Sequence, residues 1–291
     1  MNQRILRLAT RASPLALWQA HWVAGRLRAA HPGLRVELLP LISSGDADRT
    51  TALYQSASVG LFVREIQAAV LDGRADAGVH SCKDLPTNLP TGLTLAAVQP
   101  RADVRDALIT KDGRSLADLP PGALIGTSSL RRQTQLAAIR PDLRFAPIRG
   151  NVDTRLRKLH AGEADATVLA MAGLHRLGLV LSAKAQPFNP WTDCVPAPAQ
   201  GTVALDCRAE DQRTRWLLAH IDHPETRRAI TIERAILHHL EGGCSLPLGC
   251  YAKRISGAWQ VRVRLGSLTS PMRDLTLSGD PAHFIQRAVE L

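Results

Sequence analysis

Residues 63–79 read VREIQAAVLDGRADAGV and residues 152–168 read VDTRLRKLHAGEADATV, two stretches in one frame. In each, apolar residues recur at helical spacing. A glycine then stands where a helix ends in left-handed backbone (Gly73, Gly162), and Ala-Asp-Ala-x-Val opens a strand-like run. A chain that writes helix, glycine and strand twice in the same way predicts two similar α/β domains.

The remaining pattern is read around that repeat. Residues 5–10 form a short predicted strand, and Ser13-Pro14 marks a helix start, with Leu15, Trp18 and Trp22 on one helix face. A similar junction recurs at 123–126, where Thr127-Ser128-Ser129 leads into a predicted helix over 130–139. In open α/β sheets ligands lie at such strand-to-helix junctions, where free amide N–H groups favour anions. Breaks in the pattern fall at 99–106 and at the proline-rich 194–202. Beyond 222 a helix over about 225–240, with Ile232, Ile236 and Leu240 on one side, leads to a cysteine loop. Three short strands follow, two of them joined by a hairpin turn within RISGAW, and a last helix starts near Pro281. The predicted division is one α/β domain from 1–100 with 202–219, a second from 105–195, and a small α+β domain over 223–291.

With 291 residues, 45% of them hydrophobic, the chain can bury ordinary cores. Arg4, Arg7 and Arg11 interrupt the amino-terminal apolar stretch, and no run approaches membrane-spanning length, so no membrane partner is expected. Five cysteines (82, 194, 207, 244 and 250) lack a paired spacing or a C-x-x-C motif. Free thiols in a reducing cytoplasm, without zinc, are the expectation. The net charge of +10 points to polyanionic partners, whether nucleic acid, acidic surfaces or small polycarboxylates. An aromatic content of 4% weighs against single-stranded nucleic acid, which needs rings to stack its bases.

Within LEGGCSLPLG, Cys244 follows two glycines and precedes a proline, on backbone that keeps a thiol approachable, although composition alone also allows an inert thiol. His238 and His239 are adjacent on a predicted helix and cannot share a face to hold a metal. Basic residues cluster after predicted strands: Arg11, Lys83, the group Arg131, Arg132, Arg149 and Arg155, and Arg176. Each alone could be a solvated surface cation. Together they suit carboxylates, because a guanidinium fork pairs with both oxygens at once. Asp84 is the one acid in HSCKDLP. It is either a turn aspartate before proline or a carboxylate in a cationic pocket that stabilises positive charge during reaction and passes protons.

These stretches, with LATRASPLALWQAH, GLFVREI, GTSSLRRQTQL, RGNVDTRL, LAMAGLHRLGL, AQGTVALDCR and ERAILHHLEGGCSLPLG, resemble the porphobilinogen deaminase (hydroxymethylbilane synthase) family from about residue 4 to 280. The resemblance implies two α/β domains like type II periplasmic binding proteins and a third carrying a dipyrromethane cofactor covalently bound through Cys244. It implies a transferase that polymerises porphobilinogen head-to-tail. Ammonia leaves the aminomethyl group, the free α-carbon of the terminal pyrrole attacks, and water releases the linear tetrapyrrole. The implied enzyme is a cytoplasmic monomer with porphobilinogen as its small-molecule partner and no nucleic acid.

By the same resemblance Asp84 is catalytic. Lys83, Asp84, Ser129, Arg131 and Arg132 hold the cofactor, and Arg11, Ser13, Arg149, Arg155, Arg176 and Gln200 bind substrate. Each added pyrrole brings an acetate and a propionate, so the growing chain needs a wall of fixed cations. The sequence departs from the family pattern in several places. Gln55 and Val59 stand where lysines are expected, which bears on substrate affinity or turnover. Pro198-Ala199 replace Val-Gly before Gln200 and stiffen a hinge-like crossover, Leu246 replaces a β-branched residue and Asp153 a glycine, while Asp46 is kept. The alternative reading is a paralogue that binds a pyrrolic or other polycarboxylate ligand with weak or altered turnover.

Overall fold

A computed structural model of the chain describes residues 5–41, 63–180, 183–240, 246–267 and 269–288. They form two compact units. The first holds the described residues up to Ala102 with Thr202–Arg227, the second those of Asp103–Gly201 and from Arg228 onward.

The first unit is a five-stranded sheet of β1 (Leu6–Arg11), β2 (Val36–Leu41), β3 (Ala77–Ser81), β4 (Leu93–Val98) and β10 (Val203–Arg208), in the order β2-β1-β3-β10-β4. Strand β1 runs parallel to β2 and β3, whereas β10 lies antiparallel between β3 and β4. Helix α1 (Pro14–Ala30) starts with proline at its first position, where a missing N–H costs nothing. Its buried face is Ala16, Gln19, Ala20, Val23, Ala24 and Leu27. Leu15, Trp18 and Trp22 line a neighbouring face, from which half-buried Trp22 packs against the same core. Small side chains let the helix approach the sheet closely, and the ring of Trp18 stacks on that of Trp22 at 6.1 Å. Leu6, Leu8, Leu27, Leu205 and Leu218 fill the core beneath, each worth about 1.5–3 kcal/mol of burial.

The second unit repeats this plan. Its sheet has β5 (Asp106–Thr110), β6 (Leu124–Gly126), β7 (Arg144–Ala146), β8 (Ala166–Ala170) and β9 (Gln186–Pro187), ordered β7-β6-β8-β5-β9. Again three neighbouring strands, β7, β6 and β8, run parallel and one strand, β5, is inserted antiparallel beside them. The repeated sequence forms helix α2 (Arg64–Leu71) before β3 and helix α4 (Val152–His160) before β8. Gly73 and Gly162 both take positive φ, 74° and 87°, which L side chains rarely adopt. The aspartate of Ala-Asp-Ala has the same task twice: Asp76 Oδ2 accepts the N–H of Arg7 at 2.7 Å, and Asp165 Oδ2 that of Leu124 at 2.7 Å. The chain thus contains two α/β sheets built on one plan, the mixed α/β fold that the repeat predicted.

Helices α3 (Leu130–Ile139), α5 (Met171–Arg176) and α6 (Gln212–Ala219) complete these layers. Helix α7 (Pro224–His239) leads into the small carboxyl-terminal domain, an antiparallel sheet of β11 (Leu248–Ile255), β12 (Ala258–Leu265) and β13 (Arg273–Gly279) with helix α8 (Ala282–Ala288). Ser256 and Gly257, both at positive φ, make the two-residue turn expected in RISGAW. Ile232, Ile236, Val261, Val263 and Phe284 form its core. Within the second unit this domain docks closely. The N–H of Cys250 donates to Pro196 O at 2.9 Å, and a Cβ on Gly249 would meet Val195 at 2.7 Å. Buried Arg264 joins Asp274 to the carbonyls of Thr192 and Asp193.

Candidate active site

In the first unit four predicted residues stand at the carboxyl ends of β1 and β3. Arg11 closes β1, and Ser13 is the extended residue before α1, its side chain making no capping hydrogen bond to the helix. Strand β3 ends at Ser81 and passes directly into a single 3₁₀ turn, Cys82–Asp84. That turn is pinned on both sides. Cys82 N–H donates to Thr202 O at 2.9 Å, and the buried Gln19 side chain donates to Ser81 Oγ at 3.0 Å. Cys82 is wholly buried, whereas Lys83 and Asp84 are half-buried at the carboxyl end of this central strand. Beneath them lies a polar network that sequence reasoning missed. His80 Nε2 is 3.0 Å from Asp206 Oδ1, and Gln67 donates to Asp206 Oδ2 at 3.0 Å, all three side chains buried.

In the second unit the chain leaves β6 at Gly126, and Ser129 caps α3, accepting the N–H of Arg132 at 3.4 Å. Arg131 and Arg132 follow in the first turn, only 5% and 6% exposed. Both forks close on Asp106, which opens β5 and pairs with Ala170 at the end of β8. Arg132 reaches Asp106 Oδ1 at 2.7 Å, and Arg131 reaches Oδ2 at 2.8 Å. Arg131 also donates to Val195 O at 2.8 Å, and Arg132 to Val168 O at 2.7 Å. Burial works against the Arg131 charge, but the neighbouring Asp106 overcomes it and raises the arginine above its usual range. Gln200, wholly buried, donates to the same Oδ1 at 3.0 Å and to Val104 O at 2.8 Å.

Arg149 lies beyond β7 and is half-buried. Arg155, in the first turn of α4, donates to Gly150 O at 2.8 Å. Arg176 ends α5 and donates to Gly201 O at 2.7 Å, and burial pushes its pKa down to about 10. Cys244, Asp46, Gln55 and Val59 lie outside the described residues. Sequence reading found the cations but missed Asp106. Its signal was an acid placed immediately before the apolar run Ala107–Ile109, where a carboxyl group has no solvent to face.

This donor set fits a group bearing several carboxylates: a guanidinium, an ammonium and a hydroxyl stand at or just after strand ends in the first unit, and guanidiniums with a hydroxyl stand in the loops and helices after strands in the second. Arg132 Nε is a buried donor with no hydrogen-bond partner among the described residues, the kind of leftover group an anionic ligand satisfies. The chain is similar in structure to the BvgS VFT2 domain of Bordetella pertussis, at 14% identity with 79% of this chain and 93% of that chain covered and a TM-score of 0.46. It is also similar to the periplasmic sulfonate-binding protein SsuA of Methylobacillus flagellatus KT, at 15% identity, 81% and 67% coverage and a TM-score of 0.43. Residues 227–268 match the model described as porphobilinogen deaminase, C-terminal domain. Residues 6–216, carrying the Lys83–Asp84 turn and the Asp106 cluster, match that described as porphobilinogen deaminase, dipyromethane cofactor binding domain. The chain therefore belongs to the porphobilinogen deaminase family and has a dipyrromethane as its cofactor.

Proposed function

We propose that the protein is a hydroxymethylbilane synthase, which joins porphobilinogen units head-to-tail into a linear tetrapyrrole. Each addition forms one carbon–carbon bond and releases one ammonia, and a final water frees the product. The dipyrromethane, attached through Cys244, supplies the primer carbon on which the chain grows. Asp84 stabilises positive charge on the reacting pyrroles and accepts or returns protons at their N–H groups. Lys83, Ser129, Arg131 and Arg132 hold the cofactor's acetates and propionates, and Arg11, Ser13, Arg149, Arg155, Arg176 and Gln200 serve the incoming substrate and lengthening chain. We assign three domains, with boundaries near residues 100–105, 195–202 and 219–223, to a cytoplasmic monomer.

The observation that most supports this reading is Asp84 beside Lys83 on the turn directly after β3. An acid there is held by a tight backbone turn at the end of a strand, with a lysine as its chain neighbour. Protein made in a tetrapyrrole-synthesising host should give an intact mass above that of the bare chain and a positive Ehrlich colour test. Cys244→Ser should remove both, and Asp84→Asn should keep the adduct but lose turnover by at least about a hundredfold. An unmodified, inactive wild-type chain from that host sinks the proposal.

The second reading, a paralogue with slow or altered turnover, rests on Gln55 and Val59, where the family pattern has lysines. Porphobilinogen consumption by the wild type and by a Gln55→Lys/Val59→Lys variant separates the two. Equal rates remove the paralogue reading.

A further inference from the structure

The other cations assigned above are half-buried, but Arg131 and Arg132 are not. Each is almost wholly buried, and each has spent one edge of its fork on interior acceptors. Asp106 takes both: Oδ1 accepts from Arg132 and Gln200, while Oδ2 accepts from Arg131 and lies 3.7 Å from the Cys194 thiol. The carbonyls of Val168 and Val195 fix the remaining terminal nitrogens from either side.

Elementary electrostatics says what this arrangement achieves. Two guanidiniums in adjacent positions on one helix turn repel each other, and in a buried setting that repulsion is weakly screened. One carboxylate shared between them removes the repulsion and leaves the cluster with a single net positive charge. It also decides where the forks point. An arginine has several rotatable bonds, and a bidentate or shared carboxylate behind it selects one arrangement. The edge left over on Arg132 is Nε, buried and without a hydrogen bond among the described residues. A donor in that condition is unfavourable in the protein alone and is satisfied by an acceptor from outside.

We infer that Asp106 is a positioning residue for the cofactor: by holding Arg131 and Arg132 from behind, it sets the charge and direction of the pair that receives a cofactor carboxylate. Gln200 is the second part of the same device. Its amide acts on Asp106 and Val104, and so reaches the ligand through the arginines. This rests on the functional reading above, since it concerns how the dipyrromethane is held. It adds a residue to which the family resemblance gave no role, and it gives Gln200 a second task, support of the pair, beside the one assigned above.

The test compares wild type, Asp106→Asn, Asp106→Glu and Leu119→Ala, all made in a tetrapyrrole-synthesising host. Leu119 is a core residue of the same unit and controls for lost stability alone. For each, the folded fraction is isolated by size-exclusion chromatography, and intact mass gives the share of chains carrying the adduct. Asp106→Asn keeps the shape but removes the shared charge, and should leave fewer than about one folded chain in ten loaded. Asp106→Glu keeps the charge but displaces it by a methylene, and should load partially and bind porphobilinogen with a raised KM. Leu119→Ala should melt earlier yet load like the wild type. A folded Asp106→Asn chain loaded to the wild-type level overturns the inference. Should that variant not fold, Asp106→Glu decides: full loading with an unchanged KM overturns it equally. An unloaded wild type sinks the functional reading itself, whereas a loaded, active wild type beside a fully loaded Asn variant sinks only the role given to Asp106.

Discussion

Ala199 is held in left-handed backbone, φ 62°, with its N–H donated at 2.6 Å to Oε2 of the buried Glu233. The other oxygen of Glu233 accepts the N–H of Ala252 on β11 at 2.8 Å. One carboxyl group therefore ties the segment just before Gln200 to the carboxyl-terminal sheet. It also compensates a conformation that costs an alanine about 1–2 kcal/mol. The family pattern has glycine at this position, and the structure gives the physical reason.

Ala199→Gly should accordingly stabilise the protein. The relief of left-handed strain exceeds the extra unfolded-state entropy of glycine, leaving a net gain of up to about 1 kcal/mol. Glu233→Gln should act in the opposite direction by about 1–3 kcal/mol, because the amide can accept only one of the two buried N–H groups. Urea midpoints at constant m-value check both. An Ala199→Gly variant less stable than wild type would show that the Pro198-Ala199 pair is favoured for reasons other than backbone geometry.

The two aspartates of the repeat should behave as copies. Asp76→Ala and Asp165→Ala each remove the acceptor for one strand-opening N–H, at Arg7 and at Leu124, and each should cost about 1 kcal/mol. Because the two lie in separate sheets, the double variant should lose the sum within about 0.5 kcal/mol. Chemical denaturation of the three variants measures this, and strong non-additivity would contradict two independently built copies.

Much of this was legible in the sequence because it is local. The repeat, the proline at the start of α1, the Ser-Gly hairpin and the cations after strands all write their geometry into neighbouring residues. The failures are non-local. Which residues of α1 are wholly buried depended on the sheet it packs on: Ala20, Val23 and Ala24 lie against it, while Trp22 is half-buried beside them. Asp106 and Glu233 looked like ordinary acids, since their partners lie far along the chain, at Arg131, Arg132, Gln200, Ala199 and Ala252. Gln200 could be named from the family pattern, but its partners could not. A buried carboxyl group is defined by what surrounds it, and that information exists only once the sheets are assembled.

Acid should weaken the fold through a definite set of carboxylates. Burial pushes Asp211 up, but the N–H and hydroxyl of Thr214 and the charge of Arg208 more than reverse this, and its pKa is lowered. Asp103, beside Arg105, is also lowered, and the Arg140 side chain holds Asp142 down to about 2. A carboxylate with a depressed folded pKa contributes stability that is fully present above its unfolded value near pH 4. That contribution is lost as pH falls through the folded value, since the unfolded chain binds more protons there. Melting temperature should therefore drop steeply between about pH 4 and pH 2. Asp211→Asn keeps the helix cap and removes the titration. It should flatten that limb while losing under about 1 kcal/mol at neutral pH. An unchanged acid slope in this variant would exclude Asp211 from the set.

Thiol accessibility gives a measurement that joins the fold to the cofactor. Cys82, Cys194, Cys207 and Cys250 have no exposed surface. Burial pushes Cys194 up to about 12, helped by Asp106, and burial with Asp211 and Asp206 does the same for Cys207. Only the thiolate attacks an aromatic disulfide reagent, and at pH 8 about one Cys194 side chain in ten thousand would be ionised even if the reagent could reach it. A chain whose Cys244 carries the dipyrromethane should thus show no fast-reacting thiol when native and four once unfolded in guanidinium. A chain without the adduct should show one when native and five when unfolded, the native one being lost in Cys244→Ala. Two or more fast thiols in the native adduct-bearing protein would mean that a core cysteine is open to solvent, and the packing around Asp106 or β10 would need to be redrawn.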